Sequence, residues 1–229
     1  FMTPSSLYSR RQFLRTASAA GITAWTARSR AQITGANSDI RVAVIGFGGR
    51  GGSHIGAFSG MPGVRLVALC DVDQRVLDGE VRKLSETTKT EVKGYRDLRQ
   101  LFDAKDIDAV SIATPNHWHA LASIWAIQSG RDVYVEKPVS HNVSEGRRVV
   151  EFARKHGKIV QTGTQCRSSR KGIAAAVQWV NEGNLGKITL SRGLCYKRRP
   201  SIGKTEGPQP LPDNVDYDLW CGPAEKLPL

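Results

Sequence analysis

At 229 residues the chain has room for one full core and part of a second, and its 40% hydrophobic and 24% charged composition is that of an ordinary globular protein. The formal charge of +12 gathers in two places: Arg10, Arg11, Arg15, Arg28 and Arg30 precede the first acidic residue, Asp39, and twelve Lys and Arg between Arg154 and Lys204 face only Glu182. Neither stretch carries a base-stacking or zinc-finger pattern, and no apolar run approaches the ~18 residues of a membrane span, which argues against nucleic-acid binding and stable membrane insertion.

The second basic stretch reads as a solvated surface; the alternative is attraction of an anionic substrate or of cofactor phosphates. Cys70, Cys166, Cys195 and Cys221 form no C-x-x-C pair and no metal-ligand spacing, so no metal is expected. Cys70, at a strand end, reads as a small buried residue.

The N-terminus reads as an address. Ser9-Arg10-Arg11-Gln12-Phe13-Leu14 is a twin-arginine signature, Thr16 to Ala27 is weakly apolar, and Ser29-Arg30-Ala31 suits cleavage after Ala31. Residues 1–31 are therefore expected to be a Tat-type signal that exports a folded protein to the periplasm or beyond. The alternative is a basic amphipathic or disordered arm.

Ile40 to Ile45 predicts a buried strand, with a helix starting near Arg50. Val64 to Leu69 is the next strand and Gln74 to Glu86 the next helix. Asp97 is placed to cap a short helix through Phe102. Ile107 to Ala113 forms another apolar strand, and His117 to Ser129 a helix that Gly130 stops. Asp132 to Val135, a helix opened by Ser144 and ending at Gly157, and a strand from Ile159 to Thr162 complete the alternation. Apolar strands alternating with helices of this length predict an α/β fold, a Rossmann-type doubly wound parallel sheet, over residues 32–165.

Beyond Gly163 the pattern changes. A helix is predicted from Ile173 to Asn181 and a strand from Lys187 to Tyr196, before a Pro- and Gly-rich run from Pro200 to Pro212. Phe1 stands ahead of Met2 and the chain stops at Leu229 without a closing element. Residues 166–229 are accordingly expected to be the incomplete start of an α+β substrate domain.

Gly46-Phe47-Gly48-Gly49-Arg50-Gly51 follows the first strand and opens a helix. Asp71, after the second strand, lies where a dinucleotide-binding fold carries its acidic residue. Gly46 permits the tight turn, Gly48 lets the backbone approach a pyrophosphate, and Gly51 allows close helix–strand packing. The helix N-terminus presents N–H groups to the phosphates. Asp71 would accept from the adenosine ribose hydroxyls and repel a 2′-phosphate, which favours NAD over NADP, with Arg50 and Arg75 available to offset that repulsion. The competing reading is a structural turn in an unrelated α/β protein.

Thr114-Pro115-Asn116-His117-Trp118-His119 and Glu136-Lys137-Pro138 each end a strand at the carboxyl edge, where open α/β sheets bind ligands. With the glycine turn, these motifs make Ile40 to Tyr196 resemble the N-terminal half of the Gfo/Idh/MocA oxidoreductases, and the leader suits their exported, glucose–fructose-oxidoreductase-like branch. The resemblance implies hydride transfer between a sugar or polyol and NAD(P), and it leaves homo-oligomerisation open. It places Thr114, Pro115, Asn116 and His119 at the nicotinamide ribose, with Glu136 and Lys137 beside the nicotinamide and substrate.

Chemistry supports Lys137 independently, because an ammonium beside a hydroxyl that is becoming a carbonyl stabilises the alkoxide-like charge. Its alternative is an ion pair with Glu136 or another carboxylate. Arg167 and His117 are candidate substrate contacts, against the plainer readings of a surface arginine and a packing histidine. The family's second domain contributes an Asp and a His to the substrate, and neither is assignable here, so the chain is expected to bind cofactor more readily than it turns over substrate. Two other functions compete: an NAD-dependent glycosidase or lyase on the same scaffold, and a non-catalytic dinucleotide-binding accessory protein. Related glycosidases share an arginine at the Arg50 place and tend to lack a lysine at the Lys137 place.

Overall fold

A computed structural model describes residues 39–195 and 198–229, without the side chains of Cys166 and Arg170. The twin-arginine signature and its cleavage site lie outside the described residues. Six strands form one sheet: β1 Ile40–Ile45, β2 Val64–Cys70, β3 Lys93–Tyr95, β4 Ala109–Ile112, β5 Asp132–Glu136 and β6 Val160–Gly163. They run in the order β3-β2-β1-β4-β5-β6, and the pairs β1–β4, β2–β3, β4–β5 and β5–β6 are parallel. The order reverses between β1 and β4, and that crevice is where such a sheet receives a ligand.

The near-continuous apolar run of β1 is explained by burial on both faces: Val42, Ala43, Val44 and Ile45 are 5% exposed or less. Val42 and Val44 belong to one core layer with Ile55, Leu77 and Leu84. Ala43 and Ile45 belong to the opposite layer with Leu101, Ile112, Ala126 and Val135. The period-two alternation of side chains thus splits one strand between two cores.

The helices between strands are α1 Arg50–Ser59, α2 Gln74–Thr88, α3 Leu98–Asp103, α4 Asn116–Gln128 and α5 Val143–His156; α6 Ala175–Asn181 and α7 Tyr217–Cys221 follow. Their ends follow from local chemistry. Asp73 accepts from Arg75 N and Val76 N to cap α2, and Asp97 accepts from Arg99 N to cap α3, as its sequence position predicts. The α5 start lies just before the predicted Ser144, because Asn142 caps Glu145 N while the Glu145 carboxylate accepts from His141 N. Gly157, at φ 61°, ends α5 after the basic run Arg154-Lys155-His156.

Two sequence expectations fail here. The three-residue edge strand β3, Lys93-Gly94-Tyr95, was not among the predicted elements; it has no apolar run, and pairing with β2 alone defines it. Conversely, residues 187–195 form no strand. Ile188, Leu190 and Leu194 are more than half exposed, and no described strand pairs with them, which removes the ladder a strand requires. The helix predicted from Ile173 begins as a π-helical turn, Arg170–Ala174, that runs into α6.

Candidate cofactor and active site

The glycine turn is fixed before any ligand is considered. Gly46 sits at φ 78°, where a Cβ would also meet Thr114 N and Cα at 2.8 Å. Its N–H donates to Cys70 O at 2.8 Å, which ties β1 to β2 at their carboxyl ends. A Cβ on Gly51 would run into the Gly46 carbonyl oxygen, so α1 packs against the turn as closely as backbone allows. At Gly48 and Gly49 a Cβ meets nothing within 4 Å, and Gly49 begins α1 without a side-chain cap. The turn therefore shows a bare face to solvent, with uncapped N–H groups beside it.

Asp71 has a role in the fold that its sequence position did not announce. Its carboxylate accepts from Phe47 N at 2.9 Å and from Asp73 N at 3.0 Å, clamping the glycine turn to the start of α2. It still lines a cleft of about 310 Å³ with Gly46, Phe47, Gly48 and Gly49, Arg96, Thr114, Pro115, Trp118 and Trp220. Of the cations considered from sequence, neither Arg50 nor Arg75 lines this cleft; Arg96, at the end of β3, does. An edge strand too short to predict explains why Arg96 was missed.

A second cleft of about 410 Å³ lies against the first and is lined by Arg50, Ala113, Thr114, Asn116, His119, Glu136, Lys137 and Gln165. Thr114 borders both, and its hydroxyl is buried without a partner among the described residues. Glu136, 5% exposed, holds the floor. It accepts from His54 Nε2 at 3.0 Å, Arg50 Nε at 3.3 Å, Gln165 Nε2 at 2.5 Å and Lys137 N at 3.3 Å. Burial pushes this carboxyl's pKa up, but the donors from Gln165, His54 and Arg50 outweigh it and hold the group below the ordinary glutamate range.

His54 and Gln165 are site residues that sequence reading missed. His54 is four residues after Arg50 on α1, so both reach one carboxylate from one helix face. That spacing, set beside Glu136, was the available signal. His54 Nδ1 lies 2.8 Å from Ser111 Oγ on buried β4. The buried ring thus bridges Ser111 on β4 and the Glu136 carboxylate, with a partner at each nitrogen.

Lys137 is exposed at the rim of this cleft, and among the described residues its ammonium has no ion-pair partner. Glu136 takes the lysine's backbone N–H, while its side-chain partners are Arg50, His54 and Gln165. His119, 1% exposed, is wedged between two carbonyls: Nδ1 is 2.6 Å from Pro138 O and Nε2 is 2.8 Å from Thr114 O. It braces the ends of β4 and β5 against each other, and its ring edges are occupied by protein carbonyls. His117 and Arg167 line neither cleft; His117 Nε2 contacts Trp220 O at 2.9 Å, and Arg167 is exposed beyond β6.

Comparison with known proteins decides the family. The profile of the oxidoreductase family with an NAD-binding Rossmann fold, named for Gfo, Idh and MocA, matches residues 40–164. The chain belongs to the Gfo/Idh/MocA oxidoreductases. Within the family, it is similar to a glycosyl hydrolase family 109 protein of Shewanella sp. (strain W3-18-1), 37% identical over 123 residues, covering 52% of this chain and 27% of that protein. Its fold is similar to myo-inositol 2-dehydrogenase from Lactobacillus plantarum, with TM-score 0.60 and 28% identity, over 66% of this chain and 43% of that one. It is also similar to the WlbA dehydrogenase from Chromobacterium violaceum, solved with NADH and UDP-GlcNAcA, with TM-score 0.58 and 25% identity, over 66% of this chain and 42% of that one. The chain thus spans about a quarter of the curated relative's length and less than half of either solved chain.

The family's NAD-binding Rossmann fold supports a nicotinamide-dinucleotide cofactor for this Gfo/Idh/MocA chain, and the geometry of the glycine-turn cleft fits that group. The bare face at Gly48 and Gly49, the uncapped start of α1 and the orphaned Thr114 hydroxyl are features a packed structural turn would lack.

Proposed function

We propose that the chain supplies the cofactor side of an exported oxidoreductase acting on a secondary alcohol of a sugar or polyol. The observation that carries this reading is Lys137: an ammonium free of ion pairing among the described residues, in a cleft that meets the dinucleotide cleft at Thr114. A nicotinamide dinucleotide held there supplies two-electron redox chemistry at a carbon–hydrogen bond. The other roles belong to the protein. The backbone of Gly46, Phe47, Gly48, Gly49, Arg50 and Gly51 would receive the pyrophosphate, the Arg50 side chain being turned to Glu136; Asp71 would receive the adenosine ribose, and Thr114, Pro115 and Asn116 the nicotinamide half.

Lys137 would donate to the substrate oxygen and stabilise the negative charge that grows as the hydroxyl proton departs. Glu136, occupied by Arg50, His54 and Gln165, does not compete for that ammonium. Pro138 fixes the backbone immediately after it. NAD is favoured over NADP because the Asp71 carboxylate borders the ribose region; Arg96 is the cation in that cleft that tempers the preference. Export rests on Arg10 and Arg11, and replacing both with lysine should leave a fused reporter in the cytoplasm.

A second reading has an observation of its own. The curated relative named above is a family 109 glycosyl hydrolase, and the chain carries Arg50 in its glycine turn. An NAD-dependent glycosidase oxidises its sugar transiently and regenerates the cofactor. Lys137 favours the dehydrogenase.

The full-length protein, incubated with sugars and aryl glycosides while reduced nicotinamide and released aglycone are followed together, separates the two. A second, oxidising sugar is included so that a tightly held cofactor still turns over. Net reduction supports the dehydrogenase; aglycone release without net reduction refutes it. Tight dinucleotide binding with neither signal identifies an accessory protein. In the same assay, Lys137→Ala should cut turnover by at least about a hundredfold with dinucleotide affinity nearly unchanged.

A further inference from the structure

The dinucleotide cleft has a wall that no glycine-turn or strand-end motif supplies. Residues 214–222 cross both rims of the carboxyl edge. On the β2 side, Asn214 O accepts from Gln74 N at 2.8 Å, Val215 makes an antiparallel bridge with Asp73, and Asp216 N donates to Val72 O at 3.1 Å. On the β4 side, Trp118 Nε1 donates to Leu219 O at 3.0 Å, and His117 Nε2 lies 2.9 Å from Trp220 O. Asp216 caps the short helix α7 by accepting from Leu219 N at 3.0 Å, and Cys221 is buried. A Cβ on Gly222 would collide with the Trp118 indole. The segment is built into the edge of the sheet, about 100 to 144 positions from the residues it touches.

This anchoring leaves Trp220 41% exposed while placing it, with Leu219, on the wall of the cleft. Tyr217 stacks on the Trp220 ring, with planes 12° apart and centroids 5.8 Å apart, and holds the indole in place. A large aromatic face is thereby held open to the cavity on a fixed backbone, available to a flat ring of a ligand.

The occupant follows from the chemistry of the cleft. If the glycine turn takes the pyrophosphate and Asp71 the ribose, the base lies past the ribose. There it sits among Val72 and Arg96 from one rim and Pro115, Leu219 and Trp220 from the other. A flat heteroaromatic ring matches an indole face, and a guanidinium adds a second planar partner.

We propose that residues 214–222 form the adenine slot of the cofactor site, with Trp220 as the base-contacting side chain and Arg96 across from it. The proposal rests on the dinucleotide reading of this cleft and is independent of the reaction carried out beside it. It also explains why α7 is held by both Trp118 and His117: the pair positions the Trp220 backbone.

The test is calorimetric titration of the full chain with NAD and with AMP. Wild type should bind both. Trp220→Ala should weaken both by a similar factor, roughly tenfold or more, because the base is the part they share. Trp220→Phe, which keeps an aromatic face, should recover most of the loss, and Arg96→Ala should weaken both less. Unchanged AMP affinity in a Trp220→Ala protein that melts as wild type overturns the proposal, as does a loss confined to NAD. Should Trp220→Ala not fold, equal AMP affinity in Trp220→Phe and Trp220→Leu overturns it instead. Failure of the wild-type chain to bind either ligand overturns the underlying dinucleotide reading.

Discussion

Two glycines of one turn should separate stability from binding. A Cβ on Gly51 collides with the Gly46 carbonyl oxygen and stands 3.0 Å from Gly46 C and Phe47 Cβ. Neither backbone atom can yield, since Gly46 N–H is tied to Cys70 O at 2.8 Å and Phe47 N–H to Asp71 at 2.9 Å. Relief of the clash must therefore displace α1 from the β1 end, against a core layer that includes Ile55 and Val44. Overpacking of this kind costs about 1–3 kcal/mol, and a backbone contact belongs at the upper end. For a domain of this size that lowers Tm by roughly 2–4 °C per kcal/mol, so Gly51→Ala should melt about 6–12 °C early.

Gly48 differs because a Cβ there meets nothing within 4 Å and its φ is not in the left-handed region. Gly48→Ala should melt within about 2 °C of wild type, but its methyl would stand where the pyrophosphate must approach. The expected loss is about 1–2 kcal/mol of NAD affinity, roughly five- to thirtyfold in Kd. Differential scanning fluorimetry and NAD titration of the two variants read both quantities. A Gly51→Ala protein that melts as wild type would refute the packing argument, and a Gly48→Ala protein of unchanged affinity would refute the cradle.

Other consequences follow from the charged groups. Glu136→Gln replaces a buried acceptor of hydrogen bonds from four donor groups with a half-donor facing Gln165, and should cost about 2–3 kcal/mol in urea unfolding. Because the folded Glu136 titrates below the ordinary glutamate range, its stabilisation is complete above the unfolded pKa and is lost as pH falls through the lower folded one; the variant should show a shallower acid limb in Tm against pH. Asp108, lowered chiefly by its hydrogen bonds from Arg41, obeys the same sign. Its side chain is about a third exposed, so Asp108→Asn should cost only about 1 kcal/mol, again with less acid sensitivity. His119→Ala frees the Thr114 and Pro138 carbonyls and opens a void; a loss of about 2–4 kcal/mol, with Tm as the readout, would support the bracing role.

The chain's sequence determined the doubly wound sheet, because apolar strands buried on both faces and capped helices announce themselves within a dozen residues. It determined the glycine turn in part for the same reason: the demand on Gly51 arises from Gly46 and Phe47 a few positions away, whereas Gly46 is crowded by Thr114 from a distant strand end. Tertiary structure alone decided which groups share a site. Asp71 proved to clamp Phe47 as well as border the ribose region, and Arg50 turned toward Glu136. His119 set both ring nitrogens against carbonyls. Gln165, Arg96 and Trp220 entered from segments without a motif, and His54 from the helix that the glycine turn opens. Each depends on where strand ends converge, and that convergence is set by the order β3-β2-β1-β4-β5-β6, in which neighbours in space are distant in sequence. Local pattern can specify a strand; only the assembled sheet specifies what stands at its edge.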